Sequence, residues 1–168
     1  MISRAYVLLS GGIDSTTCLY LAQKQFGGVV GLSVFYGQRH RKEIEHARAS
    51  CDKLGARHDV LDLSAVVPRT MLTDAAAEIP KVSYAEIEGV SPTYVPFRNG
   101  LLLSAATARV VGEREALKGE LRRGGPDRII QEALPEWGLY FGAHAEDAQN
   151  WAYPDCTPEF LGAMANAV

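Results

Sequence analysis

The sequence is poor in cysteine, in clustered basic charge and in long apolar runs. Its three cysteines, at 18, 51 and 156, are odd in number and widely spaced. That excludes a disulfide framework and a four-thiolate zinc site within this chain. They read instead as reduced thiols, as expected of a cytoplasmic protein. Seventeen Lys and Arg against twenty Asp and Glu give a formal net charge of −3, without the cationic clusters that duplex nucleic acid requires. No apolar run approaches the ~20 residues of a membrane span. Residues 5–9 are too short for a signal-peptide core and run directly into Ser10-Gly11-Gly12. Nucleic acid, membrane and secretion are therefore not expected. What remains is ordinary for a globular chain: 168 residues, 47% apolar and 22% charged, enough for one domain that buries roughly 70% of its unfolded surface.

The apolar pattern alternates between two kinds of segment. Residues 5–9 form a short apolar run that stops at a glycine turn, the mark of a buried strand. Asp14 can cap a helix over 15 to about 26, with Cys18, Leu19, Ala22 and Phe26 on one face. A second buried strand is expected over 29–36. A helix follows in which Ile44, Ala47, Cys51 and Leu54 recur at spacings of three and four, closed by Gly55. Residues 58–63 make a third strand. This β-α-β-α-β order implies a doubly wound α/β fold, a parallel sheet with helices on both faces.

Beyond residue 63 the pattern weakens. Residues 64–92 read as a long connection with a short helix, of the kind that forms lids or substrate loops. Residues 98–111 are apolar nearly all round and predict a mostly buried helix ended by Gly112. Residues 113–136 are rich in Arg, Lys, Glu and Asp and are broken by Gly124-Gly125-Pro126, which reads as a solvated insertion. Residues 137–141 predict another strand. Thr157 and Pro158 open a last helix carrying Phe160, Leu161, Met164 and Val168. Because it ends without cap or polar tail, the chain reads as cut inside that helix. His46 and His58 read as surface or strand-edge residues with no partner signal.

The chemistry concentrates in Ser10-Gly11-Gly12-Ile13-Asp14-Ser15, between a strand and a helix. Glycines let backbone approach an anion, free amides at a helix start point at it, and the two serines add hydroxyls. No lysine follows at Walker spacing, so a pyrophosphate suits the loop better than γ-phosphate transfer. The alternative is a tight strand-to-helix turn with no ligand.

The loop resembles the PP-loop family of ATP pyrophosphatases, whose signature is Ser-Gly-Gly-x-Asp-Ser. Three further blocks narrow the resemblance: 35–40 (Phe-Tyr-Gly-Gln-Arg-His), 94–99 (Tyr-Val-Pro-Phe-Arg-Asn), and 142–147 (Gly-Ala-His-Ala-Glu-Asp) leading to 153–156 (Tyr-Pro-Asp-Cys). In this order they resemble the 7-cyano-7-deazaguanine synthase family of queuosine precursor biosynthesis. The resemblance covers residues 5–168 apart from 113–136. It implies one adenine-nucleotide-binding PP-loop domain over 1–168. The implied ligase reaction uses ATP to activate 7-carboxy-7-deazaguanine, admits ammonia and dehydrates the amide to a nitrile. It further implies Mg2+ beside the phosphates, and commonly a homodimer. The family also carries a C-terminal cysteine cluster for Zn2+; Cys18, Cys51 and Cys156 do not match those positions.

The resemblance assigns ATP to Leu8, Leu9, Ser10, Gly11, Gly12, Ile13, Asp14, Ser15, Thr16, Thr17 and Cys18. Asp14 either contacts the ion or caps the helix. Tyr36, Gln38, Arg39 and His40 follow a strand at the edge where open α/β sheets bind ligands. Arg39 is the candidate partner for phosphate or carboxylate, and His40 the candidate proton carrier. The alternative makes this stretch the solvated start of a helix. Arg98 opens an apolar helix beside Asn99 and is expected either to face an anionic ligand or to pair with an Asp in 59–74. His144, Glu146 and Asp147 follow the last strand. A guanine-like edge offers adjacent N–H donors, suiting Asp147 or Asp155, and its ring needs an aromatic face, suiting Trp151 or Tyr153. Those aromatics otherwise pack on the last helix, and Cys156 reads as a small buried hydrophobe. Two other functions fit less well. A tRNA thiolase would favour paired cysteines and a basic surface, and a non-catalytic nucleotide-binding module would serve a larger assembly.

Overall fold

A computed structural model describes residues 3–38, 42–67, 89–123 and 136–167. Four parallel strands form one sheet in the order β3-β2-β1-β4. They are β1 (Arg4–Leu8), β2 (Gly28–Phe35), β3 (Arg57–Asp62) and β4 (Trp137–Tyr140). Register runs from Arg4↔Gly28 to Leu8↔Leu32, from Val30↔Arg57 to Phe35↔Asp62, and from Arg4↔Trp137 to Val7↔Tyr140. The strands step outward from β1 to β3, and β4 then lies on the other side of β1. The order therefore reverses at β1, where open sheets of this class bind ligands.

Because strand side chains alternate, each strand feeds two cores. Ala5, Val7, Leu9 and Val29 pack with Leu19 and Ala22 of α1 (Ile13–Gln25) and with Ala47 and Cys51 of α2 (Lys42–Leu54). Leu8, Leu32 and Val34 pack on the opposite face with Ala106, Leu102 and Leu103 of α3 (Arg98–Arg122). Burial on both faces is why these strands read as continuous apolar runs rather than alternating ones. Each fully buried Leu, such as Leu19 or Leu32, contributes roughly 1.5–3 kcal/mol. Gly31 is required by the close approach of α2, since a Cβ there would meet Cys51 Sγ at 2.4 Å.

Expected and observed elements differ in five places. First, α1 begins at Ile13 with Gly12 at its N-cap and no side-chain cap. Asp14 lies inside the first turn, so the capping alternative is excluded. Second, α3 passes through Gly112 to Arg122. Gly112 has open space around its Cα, and one interior glycine costs only about 1 kcal/mol, which a 25-residue helix tolerates. Third, Glu113 is a buried-side partner of Arg4, Tyr6, Arg57 and Arg109, not part of a solvated insertion. Fourth, α3 is buried only along one stripe: Asn99, Gly100 and Ala106 are buried, whereas Val111 is 47% exposed. Fifth, His58 is not a bare edge residue, because its Nε2 lies 2.8 Å from Ser33 Oγ.

After β4 the chain makes two 3-10 turns, Ala145–Trp151 and Pro154–Cys156, and then α4 (Pro158–Ala167). Thr157 caps α4 as expected, its Oγ1 accepting from Phe160 N–H at 3.2 Å. Residues 68–88 of the expected connection and 124–135 of the charged segment lie outside the described residues. No helix among the described residues is long and apolar enough to cross a membrane.

Candidate active site

The carboxyl ends of β1, β2 and β4 open on a cleft of about 270 Å³, closed from the α3 side by that helix's first turns. The turn after β1 supplies its polar floor. Gly11 adopts φ +80°, and a Cβ there would meet Glu43 O and Ala47 N of α2 at 2.7 Å. This glycine is demanded by packing on α2 and by its left-handed backbone. Gly12 differs, since its Cβ would meet only Ser10 Oγ, at 3.4 Å, and the space beyond it is open to a ligand.

The two serines hold the turn in shape. Ser10 N–H donates to Ser15 Oγ (3.2 Å), Ser15 Oγ donates to Gly12 O (3.2 Å), and Gly12 N–H donates to Ser10 Oγ (3.3 Å). The first helical backbone bond is Thr16 N–H to Gly12 O, at 3.0 Å. No side chain caps α1, so its first-turn amides and the positive end of its dipole lie beside Ser10 and Ser15 of the cleft lining. The loop after β4 comes close on the other side: a Cβ on Gly142 would lie 3.2 Å from Asp14 C and Ser15 N.

Around the cleft the structure gathers Leu8, Leu9, Ser10, Ser15, Tyr36, Gln38, Arg98, Asn99 and Asp147. Gln38 is buried and uses its amide on the β2 terminus, accepting from Tyr36 N–H (2.8 Å) and donating to Val34 O (3.0 Å). It orients Tyr36 rather than presenting a free amide. Burial disfavours the charge on Arg98, but Tyr36 and Asp155 together hold its pKa above the ordinary value, so it stays a cation at the cleft wall. Of the aspartates in 59–74 offered as its alternative partner, Asp59 is taken by Arg57 and Arg109, and Asp74 lies outside the described residues.

Other predicted residues lie apart from the cleft lining. Ile13 is 86% exposed. Thr17 Oγ1 donates back to Ile13 O, and Cys18 packs against the core. Asp14 is exposed, and Thr16 is half-buried. His144 is exposed, its Nδ1 accepting from Glu146 N–H at 3.3 Å, and Glu146 is itself exposed. Trp151 stands out to solvent. The Tyr153 hydroxyl bonds Thr93 at 2.6 Å and Ser91 at 3.2 Å, with its ring edge-on to Tyr94. Asp155 is fully buried and accepts from Asn99 N–H at 2.8 Å, which makes it the acceptor for the start of α3. Arg39 and His40 lie outside the described residues.

Sequence reasoning missed Ser33, Glu43, Ile44 and Phe141, which also line the cleft. Their only signal is position, at strand ends and in a helix first turn. Cys156 lines it too. Its Sγ accepts from Asn99 Nδ2 at 3.1 Å, and burial together with Asp155 and Asp147 raises its pKa, keeping it a neutral thiol. Burial raises Cys18 and Cys51 as well. No group of three His, Cys, Asp or Glu able to hold a metal ion occurs among the described residues.

The family model described as "Queuosine biosynthesis protein QueC" matches residues 4–117. The chain is 36% identical over 167 residues to 7-cyano-7-deazaguanine synthase of Pseudoalteromonas atlantica, covering 98% of this chain and 65% of that protein. It is 40% identical to the synthase of Ralstonia nicotianae (97% and 62%) and 41% identical to that of Cupriavidus necator (97% and 62%). The chain thus spans just under two thirds of the length of the curated relatives it matches. With the family matched across most of its length, and with a parallel PP-loop fold built around the glycine turn, the chain belongs to the QueC family.

Proposed function

We propose that this chain carries the nucleotide-binding part of an ATP-dependent carbon–nitrogen ligase that converts 7-carboxy-7-deazaguanine and ammonia to 7-cyano-7-deazaguanine. The observation that carries the reading is the uncapped start of α1 beside an open Gly12, at the point where strand order reverses.

A carboxylate resists ammonia because oxide is a poor leaving group. Its oxygen attacks the α-phosphorus of ATP, the bond to the bridging oxygen breaks, and pyrophosphate departs. The ammonia lone pair then attacks the acyl carbon, the bond to AMP breaks, and a proton is lost to give the amide. A second ATP activates the amide oxygen in the same way; loss of AMP and two protons leaves the nitrile. In this reading the amides of residues 11–15 and the Ser10 and Ser15 hydroxyls hold the diphosphate end. Arg98 balances charge on the carboxylate or the leaving group. Asp147, which lines the cleft whereas Asp155 does not, is assigned the N–H edge of a guanine-like ring. Arg39 and His40 follow Gln38 directly in sequence and are assigned to anion pairing and proton transfer on that ground.

In this reading Mg2+, which takes one or two carboxylates plus phosphate oxygens, would be held by Glu43 or Asp147 of the cleft lining, with Asp14, outside that lining, as the alternative. Bound there it would neutralise phosphate charge. In this reading the substrates are small molecules and no nucleic acid takes part.

The test is acid-dependent AMP and pyrophosphate release with 7-carboxy-7-deazaguanine, ammonium and Mg-ATP. AMP should appear only when the acid is present. ATP binding without acid-dependent AMP, in this chain and in one extended to the length of its relatives, overturns the ligase reading.

A further inference from the structure

Behind the turn, on the sheet face covered by α1 and α2, lies a short polar chain inside an otherwise apolar core. Ser33 of β2 is 2% exposed, and its hydroxyl donates to Leu9 O at 2.6 Å. A hydroxyl has one proton. Its 2.8 Å contact with His58 Nε2 must therefore run the other way, with the imidazole N–H as donor and Ser33 Oγ as acceptor. That fixes the tautomer and leaves Nδ1 a bare acceptor, which is buried and has no hydrogen-bond partner among the described residues. Burial, and then the charge of Arg48, lower the His58 pKa, against the opposing pull of Asp59 and Asp52. The ring is held neutral in the one form that donates to Ser33.

The carbonyl at the end of this chain belongs to the residue just before the turn. Leu9 N–H donates to Leu32 O at 3.0 Å, and Leu9 O accepts from Ser33. The following amide, Ser10 N–H, donates to Ser15 Oγ. The Leu9–Ser10 peptide plane is therefore clamped at its oxygen by Ser33 and at its nitrogen by Ser15. Rotating that plane would re-aim the amides of Gly11 and Gly12. If His58 did not fill one lone pair of Ser33, the hydroxyl would be free to swing to another acceptor.

We propose that His58, acting through Ser33, is a positioning residue of the glycine turn: it fixes the Leu9–Ser10 peptide plane and so aims the amides that meet the ligand anion. The consequence for nucleotide rests on the proposed phosphate role of the turn, but the positioning itself does not.

The test uses the full 168-residue chain and compares His58→Gln with His58→Asn. A Gln amide nitrogen can reach the place of Nε2; an Asn amide mimics Nδ1 and leaves Ser33 unfilled. In nucleotide-free protein, His58→Asn and Ser33→Ala should shift the Gly11 and Gly12 amide resonances, while His58→Gln should keep them near wild type at equal thermal stability. Loss of one neutral hydrogen bond predicts about five-fold weaker ATP binding for His58→Asn by calorimetry, restored in His58→Gln. Unmoved glycine resonances in both His58→Asn and Ser33→Ala overturn the proposal whatever the nucleotide does. Resonances that respond to His58→Asn and fail to respond to ATP in wild type support the positioning and refute the phosphate role separately.

Discussion

The start and the middle of α3 carry charge in opposite fashions. At the amino-terminal edge of the sheet, Glu113 accepts from Tyr6 and pairs with Arg4 (3.3 Å), Arg57 (2.5 Å) and Arg109 (2.6 Å). Asp59 takes second bonds from Arg57 and Arg109, and Arg4 lies over Trp137, which stacks on Tyr6. Three guanidiniums and two carboxylates pair with one another there. At the carboxyl edge, 15 residues earlier on the same helix, Arg98 faces a phenol and a carboxylate that already serves Asn99. There α1 starts without a cap and Gly12 faces open space. One edge is finished by its own side chains, whereas the other leaves first-turn amides of α1 and the Arg98 cation beside open space.

The comparison sharpens inside the turn itself. Gly11 belongs to the finished category and Gly12 to the open one, so they should respond to alanine oppositely. Gly11→Ala imposes a left-handed L residue and drives a methyl into the α2 backbone. The backbone term alone is roughly 1–2 kcal/mol, and the clash brings the expected loss to about 3 kcal/mol or more, readable by denaturant unfolding. A wild-type midpoint would refute the packing role.

The closed network predicts the next effect. Burial works against the Glu113 charge, but hydrogen bonds from Tyr6 and Arg57 and the charges of Arg57 and Arg109 hold its carboxyl below the ordinary range. A depressed folded-state pKa contributes stability that is present above the unfolded value and is lost as pH falls through the folded one. Stability should therefore decline below the model-peptide carboxylate value of 4.5, and Glu113→Gln should remove that part of the decline. At neutral pH the variant should cost about 1–2 kcal/mol, since the arginines are partly solvated. An unaltered acid limb would show that the network is ornamental to stability. On the open edge, Asp155→Ala should cost about 1 kcal/mol through the orphaned Asn99 N–H, with Arg98 losing a partner as well. Thermal unfolding that matches wild type would show that water replaces the carboxylate.

The same contrast explains what was legible in the sequence. Strands β1 to β3 and both crossover helices announce themselves within one or two residues of their bounds, β1 and β2 because they are buried on two faces, and the helices because apolar residues recur at spacings of three and four. The glycine turn is equally legible, as a local motif between two such elements. Glu113 was not, because its partners lie at positions 4, 6 and 57, and a charge flanked by charges looks solvated until the sheet brings arginines to it. Gly112 looked like a stop for the same reason, since only the tertiary contacts of Glu113 show what the helix gains by continuing. His58 carried no local signal, for its partner is 25 residues away on the next strand. Asp155 and Asp147 are indistinguishable as letters, and only the structure separates the buried acceptor bound to the start of α3 from the one that lines the cleft.

The smallest stability effect expected is also the most discriminating. Gly12 holds the N-cap at φ −74° and ψ 170°, an extended conformation that any L residue adopts. An alanine Cβ there would touch only Ser10 Oγ at ordinary distance. Alanine is a poorer N-cap than glycine by several tenths of a kcal/mol, and its stiffer unfolded chain returns a similar amount, so the net change should stay within about 0.5 kcal/mol. The methyl nevertheless occupies the approach to the first-turn amides. If those amides grip a diphosphate, Gly12→Ala should weaken ATP binding by about ten-fold or more at unchanged unfolding midpoint, since a displaced charge-assisted bond is worth roughly 1.5–3 kcal/mol. Gly11→Ala would lower both together. A Gly12→Ala chain that binds ATP like wild type would mean that the open ground beside α1 is not where the anion sits, and the difference between the two sheet edges would then be one of packing alone.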